Sequence, residues 1–165
     1  MAPHDFAIIV EDDVTLHDDL SVSAARAAIL HGFDLARSDG WLYLGICQTR
    51  CKNESWFGEV SFAKCGGGVC SHAIAVTKHR AATLIQDLHT SMVEDHLSWA
   101  KDYPGAHSMD RMLSNYADYR NGTWVVGTNL NAPAESETEL KSIGLFYQDR
   151  ARFHSTIGNN APALR

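Results

Sequence analysis

Short apolar runs alternate with segments of helical period along this chain. Phe6 to Val10 is continuously apolar and too short for a buried helix, so it reads as a strand. Ser21 to Ala36 carries Val22, Ala25, Ile29, Leu30 and Phe33 at helical spacing, which predicts an amphipathic helix with those residues on its inner side. Ser38-Asp39-Gly40 breaks that helix, and Trp41 to Leu44 reads as a second strand ended by Gly45. From Cys47 to Gly58 the chain is polar and reads as irregular, with a short strand over Val60 to Ala63 and a flexible loop over Cys65 to Gly68. His72 to Val76 returns to strand character, and Thr77 is placed to cap a helix from Lys78 to Leu88. Met92 to Trp99 has room for one helical turn or two. Ser108 can cap a helix over Met109 to Ala117, with Met112, Leu113 and Tyr116 at core spacing. Trp124 to Val126 and Leu145 to Tyr147 are the last strands, separated by a loop over Asn129 to Ser142 and followed by a loose tail over 156–165.

This alternation predicts an α/β chain, and 165 residues suffice for one core, so a single domain over 1–165 is expected. Composition leaves that picture standing: 45% hydrophobic and 21% charged residues are ordinary for a globular domain. A formal charge of −6, with only 14 Lys and Arg and no basic stripe, argues against a nucleic-acid surface. No apolar run approaches the ~20 residues that span a bilayer, and Met1 to Asp5 lacks the features of a signal peptide, so no membrane segment is expected and no compartment is named.

The chemistry concentrates where the first strand ends in Glu11-Asp12-Asp13. Adjacent carboxylates repel one another unless a cation or hydrogen-bond donors hold their charge. Strand alternation would set Glu11 and Asp13 on one face and Asp12 on the other, offering an acid-x-acid pair to Mg²⁺ or Mn²⁺. The bland alternative is a turn that leads into the following helix, although Asp18 and Asp19 stand nearer that helix as caps. Cys47, Cys51, Cys65 and Cys70 also cluster; they allow three disulfide connectivities, a metal clip or reduced thiols, and their spacings are looser than those of common zinc ribbons. Asn53-Glu54-Ser55 and Asn121-Gly122-Thr123 are glycosylation acceptor patterns that, with the clustered cysteines, lean toward an oxidising lumen.

Glu11-Asp12-Asp13, Gly66-Gly67-Gly68, Ser108-Met109-Asp110 and Phe153-His154-Ser155 occur in the order found in GT-A glycosyltransferases. With Ile8 to Val14, Cys70 to Val76 and Leu145 to Asp149, the chain more closely resembles glycosyltransferase family 25, the lipooligosaccharide and procollagen galactosyltransferases. Ile74 departs from the aromatic that is usual there. The resemblance implies a partial GT-A, Rossmann-like domain, a mixed sheet flanked by helices. It implies metal-dependent, inverting transfer of a hexose, galactose first among them, from a nucleotide-diphosphate sugar to a hydroxyl of a glycan or glycoprotein acceptor. Asp13 would ligate Mn²⁺ or Mg²⁺ with help from Asp12, and His154 would be a late metal ligand. Glu11 would lie near the donor ribose or behind the metal ligands, Gly66, Gly67 and Gly68 would approach the donor or the acceptor, and Asp110 would be the catalytic base, with stabilisation of the helix start as its plainer role. His72 is a further candidate, with a satisfied core histidine as its plainer role. In that fold a nucleotide-binding half normally precedes the acidic motif, whereas ten residues precede Glu11 here. The expectation is therefore a fragment corresponding to the C-terminal two-thirds of the fold, lumenal in the ER or Golgi if the whole is a secretory protein. Competing readings are a phosphorelay receiver, whose first strand also ends in Mg²⁺-binding acids, and a non-catalytic carbohydrate-binding remnant of a transferase.

Overall fold

In the computed structural model, which describes residues 6–47, 51–66, 68–94, 112–114, 116–117, 122–128 and 142–148, the apolar runs become strands of one mixed sheet. β1 (Phe6–Val10) pairs antiparallel with β6 (Val69–Thr77), and β6 pairs antiparallel with β3 (Trp41–Cys47). β3 runs parallel to β7 (Thr123–Gly127), beyond which β5 (Val60–Cys65) and β4 (Cys51–Phe57) follow in antiparallel fashion. β8 (Ser142–Gly144) pairs with the last three residues of β3, while β2 (Val14–Leu16) and β9 (Phe146–Gln148) form a separate ribbon. Two helices, α1 (Val22–Leu35) and α2 (Lys78–Glu94), flank these strands, and residues 112–114 and 116–117 are also helical, within the helix expected over Met109 to Ala117. The class is mixed α/β with strands dominant. The predicted strand-helix-strand step from β1 through α1 to β3 forms, but β6 is inserted between the two strands. An antiparallel neighbour beside the acidic strand also departs from the parallel sheet that a phosphorelay receiver needs.

All seven residues of β3 are buried because both faces of the sheet are covered. Leu42 and Leu44 face a cluster with Ala28, Phe33, Phe62 and Val126, whereas Trp41, Tyr43 and Ile46 face one with Val125, Leu113, Tyr116 and Ala117. Trp41 to Leu44 thus alternate with period two between two apolar layers, and the register shifts around Gly45 bring Ile46 onto the side of Trp41 and Tyr43. Gly45 does not end the strand, as the sequence suggested; β3 continues through register shifts to Cys47. Met112, Leu113 and Tyr116 are buried as their spacing predicts.

α1 is rich in alanine, the best helix former, and its cap is Ser21, whose Oγ accepts from Ala24 N–H at 3.1 Å. Neither Asp18 nor Asp19 takes that role. The buried stripe also differs from the prediction: Ala25, Ala28, Gly32 and Phe33 are inside, while Val22 and Leu30 are exposed. Small residues let the helix approach closely, and a Cβ on Gly32 would lie 2.7 Å from Leu42 Cδ2. Ser21→Ala is expected to cost about 1 kcal/mol, read as a lower urea midpoint at unchanged slope. At α2, Arg80 N–H donates to Thr77 Oγ1 at 3.2 Å, the expected cap, although the helix runs on to Glu94.

The segment expected to be irregular, Cys47 to Gly58, instead contains β4, which forms a hairpin with β5 across Gly58 at φ +62°. Its polar composition reflects an edge position rather than missing structure. Trp56 is exposed there, whereas Trp41 is core. Of the possible connectivities, Cys51 and Cys65 form a disulfide across the hairpin, while Cys47 and Cys70 are buried outside it. Closing a loop with a separation of 14 residues restricts the unfolded chain, so Cys51→Ser with Cys65→Ser should lower stability by ~3 kcal/mol in denaturant melts.

Candidate functional site

The three acids occupy the turn after β1 rather than the strand itself. Glu11 still holds the sheet, its N–H donating to His72 O at 3.0 Å, but residues 12 and 13 turn the chain into β2. Strand alternation therefore stops at Val10, and the predicted shared face of Glu11 and Asp13 does not form. Asp13 is turned inward and is only 6% exposed, whereas Glu11 and Asp12 face outward. Asp13 Oδ1 has no hydrogen-bond partner among the described residues. Leaving a buried acceptor unsatisfied costs on the order of 1–3 kcal/mol. A hard, oxygen-seeking cation is a ligand class that would relieve that cost.

β9 holds this turn in place. The ribbon registers Val14 against Gln148 and Leu16 against Phe146. Gln148 Nε2 donates to Glu11 Oε2 at 2.6 Å, fixing the outward carboxylate. His72 is fully buried, and its Nε2 lies 3.1 Å from Phe146 O. That contact requires the tautomer with a proton on Nε2. His72 thus joins β6 to β9 as a core histidine behind the acids. Gly45 makes the join possible, since a Cβ there would lie 2.6 Å from His72 Cδ2 and 2.7 Å from Phe146 O. His17, at the end of β2, meets Tyr147 edge-on and has Nδ1 3.6 Å from Asp19 Oδ2.

The structure brings Glu11, Asp13 and His72 into one neighbourhood with Gln148. Gly68 packs beside Ile46 and Cys47, so close that a Cβ would clash with the Cys47 carbonyl; Gly66 stands two residues before it, after β5. This loop reaches the same end of β3 as Gly45. Gly67, Asp110 and His154 lie outside the described residues, as do the predicted Ser108 cap and the 156–165 tail. The described chain towards His154 ends at Gln148, in register with Val14 and so one residue from Asp13. No group of three His, Cys, Asp or Glu side chains able to hold a metal ion forms among the described residues. Sequence reasoning missed Gln148 and Gly45 as site residues. Their signals were a run already singled out, Leu145 to Asp149, and a glycine read only as a strand end.

No protein-family model, no curated protein and no solved structure matches this chain. No described helix is long and apolar enough to cross a membrane.

Proposed function

We propose that this chain carries the metal and acceptor side of a GT-A glycosyltransferase of the family 25 type, using a nucleotide-diphosphate hexose as donor. The observation that carries the reading is the buried Asp13 carboxylate oxygen, unpartnered among the described residues at the end of an apolar strand. Carboxylate oxygen suits Mg²⁺ or Mn²⁺, and Asp13, Asp12 and His154 are the residues that would hold the ion. Bound there, the ion supplies Lewis-acid stabilisation of the charge that gathers on the diphosphate leaving group. The chain's own residues do the rest. Glu11, steadied by Gln148, accepts hydrogen bonds from the donor ribose. Asp110 takes the proton of the acceptor hydroxyl as its oxygen bonds to the sugar's anomeric carbon and the bond to the diphosphate breaks, inverting that centre. The Gly66 to Gly68 backbone offers N–H groups at close approach.

A second observation supports the same reading. β1 is an edge strand among the described residues, yet Ile8, Ile9 and Val10 are 48%, 59% and 51% exposed, leaving apolar side chains open on both faces. Strands apolar on both faces belong inside sheets, and an open apolar edge favours strand addition. On this reading a βα unit holding the donor's base and ribose pairs along β1. The test is Mn²⁺ titration with UDP, followed by electron paramagnetic resonance, together with release of UDP from UDP-galactose in the presence of a galactose acceptor. Saturable binding enhanced by UDP is expected; absence of both Mn²⁺ and nucleotide binding overturns the reading for this chain.

A further inference from the structure

At the other end of the same strands, Asp39, Trp41, Arg80, Tyr116, Gly122 and Thr123 line a cleft of about 50 Å³. The pairing fixes its location: Thr77 N–H donates to Gly40 O beside the start of β1, while the acids follow the far end of β1. We propose that this cleft is a binding site for a small oxyanion, the carboxylate or phosphate group of a ligand, gripped by the Arg80 guanidinium.

Arg80 is held in position by neutral acceptors. Its Nε donates to Asp39 O at 2.6 Å and its Nη1 to Tyr116 Oη at 3.4 Å. No carboxylate lies within ion-pair distance of it among the described residues; the Asp39 carboxylate is engaged by Lys64 Nζ at 2.9 Å. Among the described residues Nη2 and the remaining Nη1 hydrogen are therefore unspent, and a planar fork of this kind matches an oxyanion in a bidentate manner. Burial raises the Tyr116 pKa; the bond from Arg80 acts against that shift, and the bond to Asp87 adds to it. The phenol thus stays protonated at neutral pH, donating to Asp87 while accepting from Arg80. Asp87 tempers the positive charge through this relay and leaves the fork itself open. Trp41 forms a rigid wall, with its ring centroid 5.7 Å from that of Tyr116, and its buried Nε1 has no acceptor among the described residues. Arg80 also stands in the first turn of α2, where the helix dipole favours negative charge. Since a water needs at least ~10–15 Å³, the cleft has room for a few waters, or for one carboxylate or phosphate group.

The probes are sodium phosphate and sodium acetate, titrated at constant ionic strength against sodium chloride, with the thermal midpoint and the Trp41 indole N–H resonance as readouts. That resonance is assigned through Trp41→Phe. A saturable rise in midpoint with a shift of the Trp41 signal is expected for at least one oxyanion. A response to phosphate alone assigns a phosphoryl group, to acetate alone a carboxylate, and to both a general oxyanion site. Arg80→Lys should weaken binding about tenfold by losing the fork, and Arg80→Gln should abolish it. If the variants fold poorly, the wild-type resonance titration still decides. Responses no larger than those to chloride, or an unchanged Trp41 signal at saturating phosphate and acetate, overturn the proposal.

Discussion

Asp13→Asn is expected to abolish Mn²⁺ binding and to reduce sugar transfer at least ~100-fold while leaving the metal-free fold essentially intact. The two halves of this expectation have the same cause. Asp13 Oδ1 is buried and receives no hydrogen bond among the described residues, so that oxygen contributes little to the stability of the metal-free chain. An amide of the same shape removes the charge that a divalent ion needs and leaves packing unchanged. In EDTA, the denaturant midpoint should therefore move by the equivalent of less than about 1 kcal/mol in either direction. Calorimetric Mn²⁺ titration with UDP and transfer assays on the same preparation would check both halves. A large loss of stability in EDTA with metal binding retained would make Asp13 a structural residue, consistent with the plain turn reading of the acidic run.

The largest effect on stability is expected at Gly144. Its φ of +133° lies in a region essentially reserved for glycine, and a Cβ would sit 2.5 Å from Leu44 O and 2.7 Å from Gly45 Cα. Those neighbours are backbone atoms of a fully buried strand and cannot move aside. Gly127 presses on Gly144 from the other side. Gly144→Ala should therefore destabilise by on the order of 3 kcal/mol or more, combining backbone strain with overpacking. The damage should also reach the site. Leu145 N–H donates to Leu44 O at 2.8 Å, and β9, which follows directly, carries the Phe146 carbonyl and Gln148 that hold His72 and Glu11. Gly58→Ala is the control: its φ of +62° is also positive, but nothing lies within 4 Å of the added Cβ. It should cost about 1 kcal/mol, as strain alone. Equal losses for the two variants in urea melts would show that backbone conformation, not the approach of β8 to β3, governs this join.

The pattern of residues revealed most elements because burial on one face or both imposes a period. β1, β3, β6 and β7 overlap their predicted runs, and the Thr77 cap is where its chemistry placed it. Predictions failed where local composition and tertiary setting conflict. β4 is polar because it is an edge strand, and its hydrogen bonds to β5 are supplied by a partner that no local pattern reveals. Val22 and Leu30 have helical spacing with the core, yet α1 meets the sheet through Ala25, Ala28 and Gly32, since close approach favours small residues. At the site, the acids stood out because three adjacent carboxylates after an apolar strand are uncommon. Which of them is buried did not, because a turn rather than strand alternation orients them.

By itself the sequence determined an α/β chain with helices after the first strand and after Thr77, an apolar first strand followed by Glu11-Asp12-Asp13, and a late strand around Phe146. Apolar period and charge crowding are properties of neighbours along the chain. Only the tertiary structure decided that β6 separates β1 from β3, that Asp13 turns inward, and that Gln148 and His72 bind the acidic turn to β9. Those outcomes depend on strand order and register between segments as far apart as Glu11 and Gln148. Contacts of that kind come from burying both faces of β3 at once, a condition that no single segment carries.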